Sequence, residues 1–202
     1  SNNTFRESQL YNIEVEEDIA LSKRLVKSTL EIRNPRSIKC NQFGVNLIRL
    51  DSVLEGSSLT SCSPAIRLPN SNGFRTVICH PLGVNPWTDD ANSPLSLDLF
   101  SYSPILLQLF IRGNPFLGAK QDDKLWIAAI KQLQKKNLLV GLIVYGSPYI
   151  WSALTNALAS DIPAAYSPGQ INESQDHAIK SLFEPINLLE ASRNSLFNEF
   201  IN

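Results

Sequence analysis

Two short segments of this 202-residue chain repeat one pattern. Ile111-Arg112-Gly113-Asn114-Pro115-Phe116 and Val144-Tyr145-Gly146-Ser147-Pro148-Tyr149 each pass from an apolar stretch through a polar or aromatic residue to Gly, a small residue, Pro and an aromatic ring. Gly permits a sharp turn off a strand, Asn or Ser caps the helix that follows, and Pro suits its first position. At the carboxyl ends of strands such turns line the edge where open α/β sheets bind ligands, although strand-to-helix connections use the same residues merely to fold. Other chemistry is thinly supplied. Cys40, Cys62 and Cys79 are widely spaced and odd in number, which suits neither a disulfide framework nor a CxxC pair and reads as buried or idle thiols. His80 and His177 stand outside any HxH or HExxH setting, so no metal site is expected. Cys79 and His80 are neighbours on a predicted strand. They point to opposite faces and cannot form a nucleophile-base pair. Neither GxGxxG nor GxxxxGK[ST] occurs, so no cofactor is expected, and without GxSxG a serine hydrolase lacks its nucleophile turn. The 19 acidic residues include no pair that spacing alone places as glycosidic cleavage requires.

These residues need a scaffold, and the composition supplies one. With 43% hydrophobic and 18% charged residues and a formal charge of -1, the chain reads as globular, and its balanced charge argues against nucleic acid or a polybasic membrane-surface role as partners. No apolar run reaches the length of a membrane span. Apolar runs at 105–111 (ILLQLFI) and 138–145 (LLVGLIVY) read as strands covered on both faces, with 45–50, 76–79 and 162–166 as further strands. Helices are expected over 14–33, with Leu21, Leu25 and Ile32 on one face, and over 121–136, 148–158 and 174–183, while a Ser-rich connection fills 51–75. The sum is a three-layer α/β sandwich with a mostly parallel, flavodoxin-like sheet.

Several segments together resemble a known family. The helix with Ile19-Ala20, Lys27-Ser28 and Ile32-Arg33-Asn34, the stretch LLVGLIVYGSPYIWSAL (138–154), DIPAAYSPGQ (161–170) and the helix ending AIKSLF (178–183) are similar to the C-terminal α/β-sandwich domain of glycoside hydrolase family 3. LLQLFIRGNPFLG (106–118) resembles its bacterial members in particular. The resemblance implies a second domain of a retaining, exo-acting β-glucosidase or β-N-acetylglucosaminidase. Its partners would be an N-terminal TIM-barrel domain of the same polypeptide, which carries the nucleophile Asp and a Lys-His motif, and a carbohydrate substrate. Nothing in this chain resembles either barrel feature, and the family's Leu-Phe-Gly ending reads Leu182-Phe183-Glu184.

On that resemblance, Arg112, Asn114, Ser147 and Tyr149 would hold sugar hydroxyls and close one wall of the active site. No catalytic residue is identified. Some family members take their acid/base Glu from this domain, and Glu173 is the nearest candidate, set against a solvated helix-start carboxylate. Trp87, in a polar loop, would stack on a sugar ring or pack. Residues 1–17 read as an arm, 18–185 as the sandwich and 186–202 as a tail with an amphipathic helix through Leu188, Leu189, Leu196, Phe197 and Phe200. The chain has no Met and begins Ser1-Asn2-Asn3, which reads either as a piece of a longer polypeptide or as a sequence with modified residues unwritten, and it assigns no compartment. The alternative reading is a stand-alone α/β sugar- or metabolite-binding or interaction module built on the two Gly-[Asn/Ser]-Pro turns.

Overall fold

The computed structural model describes residues 20–21, 24–38, 43–50, 59–79, 86–88, 90, 92–111 and 122–184. Six strands among them form one sheet: β1 (Glu31–Arg33), β2 (Gly44–Leu50), β3 (Phe74–Cys79), β4 (Ile105–Ile111), β5 (Leu139–Gly146) and β6 (Ala164–Ser167). Their spatial order is β1-β6-β5-β4-β2-β3. All neighbours run parallel except β1, which pairs antiparallel with β6. Without β1 the order is that of flavodoxin-like doubly wound sheets, whose direction of winding reverses between β2 and β4.

Helices cover both faces, as the apolar runs require. On one side α2 (Asp122–Lys135) and α3 (Pro148–Thr155) bury Trp126, Ile130, Leu133, Trp151 and Leu154 against Leu47, Leu107, Leu109 and Val144. On the other α1 (Pro64–Ser71) and α4 (Asn172–Phe183) bury Ala65, Ile179 and Leu182 against Ile48, Leu106, Phe110 and Tyr145. The three-layer sandwich expected from the sequence is the one observed. Among the described residues no helix is long and apolar enough to cross a membrane.

Three expectations need correction. The helix expected through residue 33 stops short: residues 24–28 are helical, but 31–33 are strand β1, and Leu21, Leu25 and Ile32 are exposed rather than on a buried face. The Ser28 and Thr29 hydroxyls donate to the Leu25 carbonyl, competing with continued helix. Ile32 then pairs with Ala165, and Asn34, at φ 50°, donates from Nδ2 to Ala159 O and Ile162 O, anchoring the strand's exit. The second correction is α1 itself, hidden in the Ser-rich connection. Pro64 starts it and Pro69 lies inside it. Proline at position 69 has no N–H for the Ala65 carbonyl. That carbonyl instead accepts from the buried amides Asn46 Nδ2 (2.9 Å) and Gln108 Nε2 (2.8 Å) of the sheet beneath. The helix tolerates its internal proline because the sheet supplies the missing donor. Helix α3 is also shorter than expected, ending at Thr155, and the expected helix in the tail lies outside the described residues.

Candidate functional site

The parallel strands β4, β5 and β6 end side by side, with Ile111 opposite Gly146 and Tyr145 opposite Ser167. Helices α3 and α4 start at this same edge, so their first-turn N–H groups and positive dipole ends face it. Gly146 sits at φ 104°, and a Cβ there would run into the Ile111 carbonyl oxygen. Only glycine lets β5 turn so tightly against β4.

The second of the two repeated turns then does what its residues dictate. Ser147 Oγ accepts from Ile150 N at 3.4 Å, capping α3, and Pro148 takes the first helical position. Ser147 is 3% exposed, whereas Tyr149 projects from the first turn of α3 and is 72% exposed. Arg112 and Asn114, from the first turn, lie outside the described residues, so among the four sequence-derived contacts the structure brings Ser147 and Tyr149 together on one helix start.

Around this turn the edge is braced by groups that no sequence motif singles out. Tyr166 OH donates to Gly146 O at 3.3 Å, and its ring stacks on Trp151 at 5.7 Å. Trp151 Nε1 donates to Glu31 Oε2 of β1 at 2.7 Å. Partial burial, and then the Glu31 charge, hold the Tyr166 phenol above its ordinary value. Gln170 Nε2 reaches back to Tyr145 O at 3.4 Å, and Gln175 of α4 ties the loop to α1 by donating to Gln170 O and accepting from Ala65 N. Ser174, in the first turn of α4, is buried with its hydroxyl unpartnered among the described residues. The sequence signal for these braces is faint: Gln170 and Gln175 flank the start of a helix but match no motif.

The remaining candidates resolve differently. Glu173 is exposed in the first turn of α4, where an acidic group complements the helix N-terminus. Trp87 packs edge-on against Trp126 at 4.7 Å, so its ring joins the core beside α2 instead of standing open for a sugar. Cys79 is buried and burial pushes its thiol up to about 11, leaving it protonated at neutral pH, while Cys62 is exposed and Cys40 and His80 lie outside the described residues. Among the described residues no three His, Cys, Asp or Glu side chains gather as around a metal ion.

The chain is a flavodoxin-like α/β sandwich with helix starts and an exposed tyrosine at the carboxyl edge of its sheet, the edge at which folds of this class commonly bind ligands. Residues 37–184 match the model of the bacterial glycosyl hydrolase family 3 C-terminal domain, and the chain belongs to that family. It is also similar to the crystal structure of the β-N-acetylglucosaminidase from Thermotoga maritima, at 10% identity and a TM-score of 0.38, over 80% of this chain and 31% of that one. The chain thus spans about a third of that protein's length. No curated protein matches the chain.

Proposed function

We propose that this chain is the second domain of a retaining, exo-acting β-glycosidase that releases terminal glucose or N-acetylglucosamine, and that its carboxyl edge closes the active site of an N-terminal barrel in the same polypeptide. The observation that carries the reading is the Gly146–Tyr149 turn, at the ligand-facing edge of a domain belonging to this family. In a retaining reaction one carboxylate attacks the anomeric carbon and a second group protonates the leaving oxygen, after which water hydrolyses the glycosyl-enzyme. The nucleophile belongs to the barrel. This chain's part is to orient the sugar: Tyr149 offers a ring and a hydroxyl, the buried Ser147 fixes the helix start that carries it, and Arg112 and Asn114 follow β4 directly in sequence. Such groups fix the sugar in the reacting geometry, which contributes to rate without their touching the bond that breaks.

The test is hydrolysis of aryl β-glucoside and aryl N-acetyl-β-glucosaminide by this chain and by the full product of its gene. The isolated chain should turn over neither substrate, and the gene product should hydrolyse at least one. Turnover by the chain alone that Glu173→Gln abolishes would put the catalytic carboxylate here and overturn the reading. A gene product that binds sugars without hydrolysing them would favour a stand-alone binding module.

A further inference from the structure

At the opposite, amino-terminal edge of the sheet lies a pocket of about 430 Å³ between the loop leading into β4 and the last turn of α2, within the size range of small-ligand sites. Its lining includes Thr88, Asn92, Asp98, Tyr102, Lys135 and Lys136. The loop is firmly built. Gln132 Oε1 accepts from Leu95 N and its Nε2 donates to Ser93 Oγ and Leu95 O, while Trp87 bridges to Leu95 across the loop. A short 3₁₀ helix, Leu97–Phe100, then delivers Tyr102 to the rim.

The backbone at this point is unusual. Ser101 and Tyr102 both have positive φ, 50° and 51°. The left-handed form at Ser101 ends the 3₁₀ helix, but a bulky aromatic residue adopts it only where the surroundings impose it. The result is a tyrosine ring 56% exposed beside a polar pocket, not tucked into the core. The Asp98 carboxylate takes a hydrogen bond from the Tyr102 hydroxyl and, with its charge, raises that phenol above its ordinary value. Carboxylate, side-chain amide, hydroxyl and ammonium groups therefore line one pocket together with the Tyr102 side chain.

We propose that this pocket is a second saccharide site, in which a pyranose lays its C–H face on Tyr102 and its hydroxyls reach Asp98, Asn92 and the two lysines. The chemistry is specific to that class. A pyranose has an apolar face and a rim of groups that both donate and accept, which matches an aromatic ring edged by mixed donors and acceptors. A phosphate would gain from Lys135 and Lys136, but Asp98 in the same pocket repels it, and both lysines also serve the α2 carboxyl end. The site is independent of the reading of the carboxyl edge, and its failure would leave that reading intact.

The experiment is an amide-shift titration of the chain with methyl β-glucopyranoside, and separately with inorganic phosphate. Saturable shifts are expected at residues 93–102 and 132–136, with a dissociation constant on the order of millimolar. Tyr102→Phe should retain binding, whereas Tyr102→Gly should weaken it by about tenfold or more. Tyr102→Gly should not lower the melting temperature, because glycine takes the left-handed conformation freely. Shifts absent or unsaturable with the glucoside, saturation by phosphate instead, or binding that survives Tyr102→Gly would each overturn the proposal. Loss of binding accompanied by a lowered melting temperature would make the ring's role structural and overturn it too.

Discussion

The two faces of the sheet are held by different physics. Under α2 and α3 the centre of the contact is apolar, with Leu47, Leu107, Leu109 and Val144 meeting Trp126, Ile130 and Leu133, and the hydrogen bonds of Trp151 and Gln132 lie at its margins. Under α1 and α4 the apolar packing is crossed by a buried polar chain. Tyr145 OH donates to Gln108 Oε1 (3.1 Å), Gln108 Nε2 donates to Asn46 Oδ1 (2.6 Å) and to Ala65 O, and Asn46 Nδ2 donates to Ala65 O and to Thr76 Oγ1 (3.0 Å). Four strands and one helix share it. The apolar face supplies non-directional stabilisation that many packings would satisfy. The polar face admits one arrangement: a single-residue slip of β4 would drive Gln108 into the opposite apolar face and leave its partners bare. It also lets a helix containing Pro69 dock on the sheet.

Mutation separates the two faces. The largest effect is expected on the apolar face, where Leu107→Ala removes a fully buried side chain and should cost about 3 to 4 kcal/mol in urea unfolding. Gln108→Leu keeps the volume but orphans Asn46 Oδ1 and the Tyr145 hydroxyl, and should cost about 2 to 3 kcal/mol. A stabilising Gln108→Leu would show that the polar chain is dispensable and erase the distinction. In a chain where Asn46→Leu and Gln108→Leu remove both donors, Pro69→Ala should recover about 1 kcal/mol by giving the Ala65 carbonyl an intrahelical N–H, and should add little in the parent. Tyr145→Phe should be mildest, about 1 kcal/mol, since it deletes one hydrogen bond at the end of the chain, bares only Gln108 Oε1 and preserves the stack on Phe110.

The same contrast governs how much of the fold is legible in the sequence. Strands β4 and β5 stand out because a run apolar on both faces and too short for a membrane span fits little but a covered strand, and α2 because its apolar residues recur with helical period. Helix α1 is hidden: two prolines and a Ser-rich approach argue against helix locally, and the compensation comes from Asn46 and Gln108, 19 and 43 residues away from the carbonyl they serve. Gln108 is the one clue, a lone polar side chain within ILLQLFI, and its meaning depends on what packs above it. Strand β1 is concealed for a related reason, since a three-residue edge strand is defined by its partner β6 and not by its own pattern. At the candidate site the Gly146–Tyr149 turn is readable because its residues act locally on their own backbone. The braces from Tyr166, Gln170 and Gln175 act across the fold and carry no local signature.

Whether the carboxyl edge of this domain faces the substrate of a glycosidase is decided most sharply by steady-state hydrolysis of an aryl β-glycoside by the full gene product with and without Tyr149→Ala. Because Tyr149 is exposed, its loss should leave folding intact, and KM should rise by about three- to tenfold from the removal of one aromatic contact. An unchanged KM and kcat would place the substrate elsewhere and overturn the assignment of this edge.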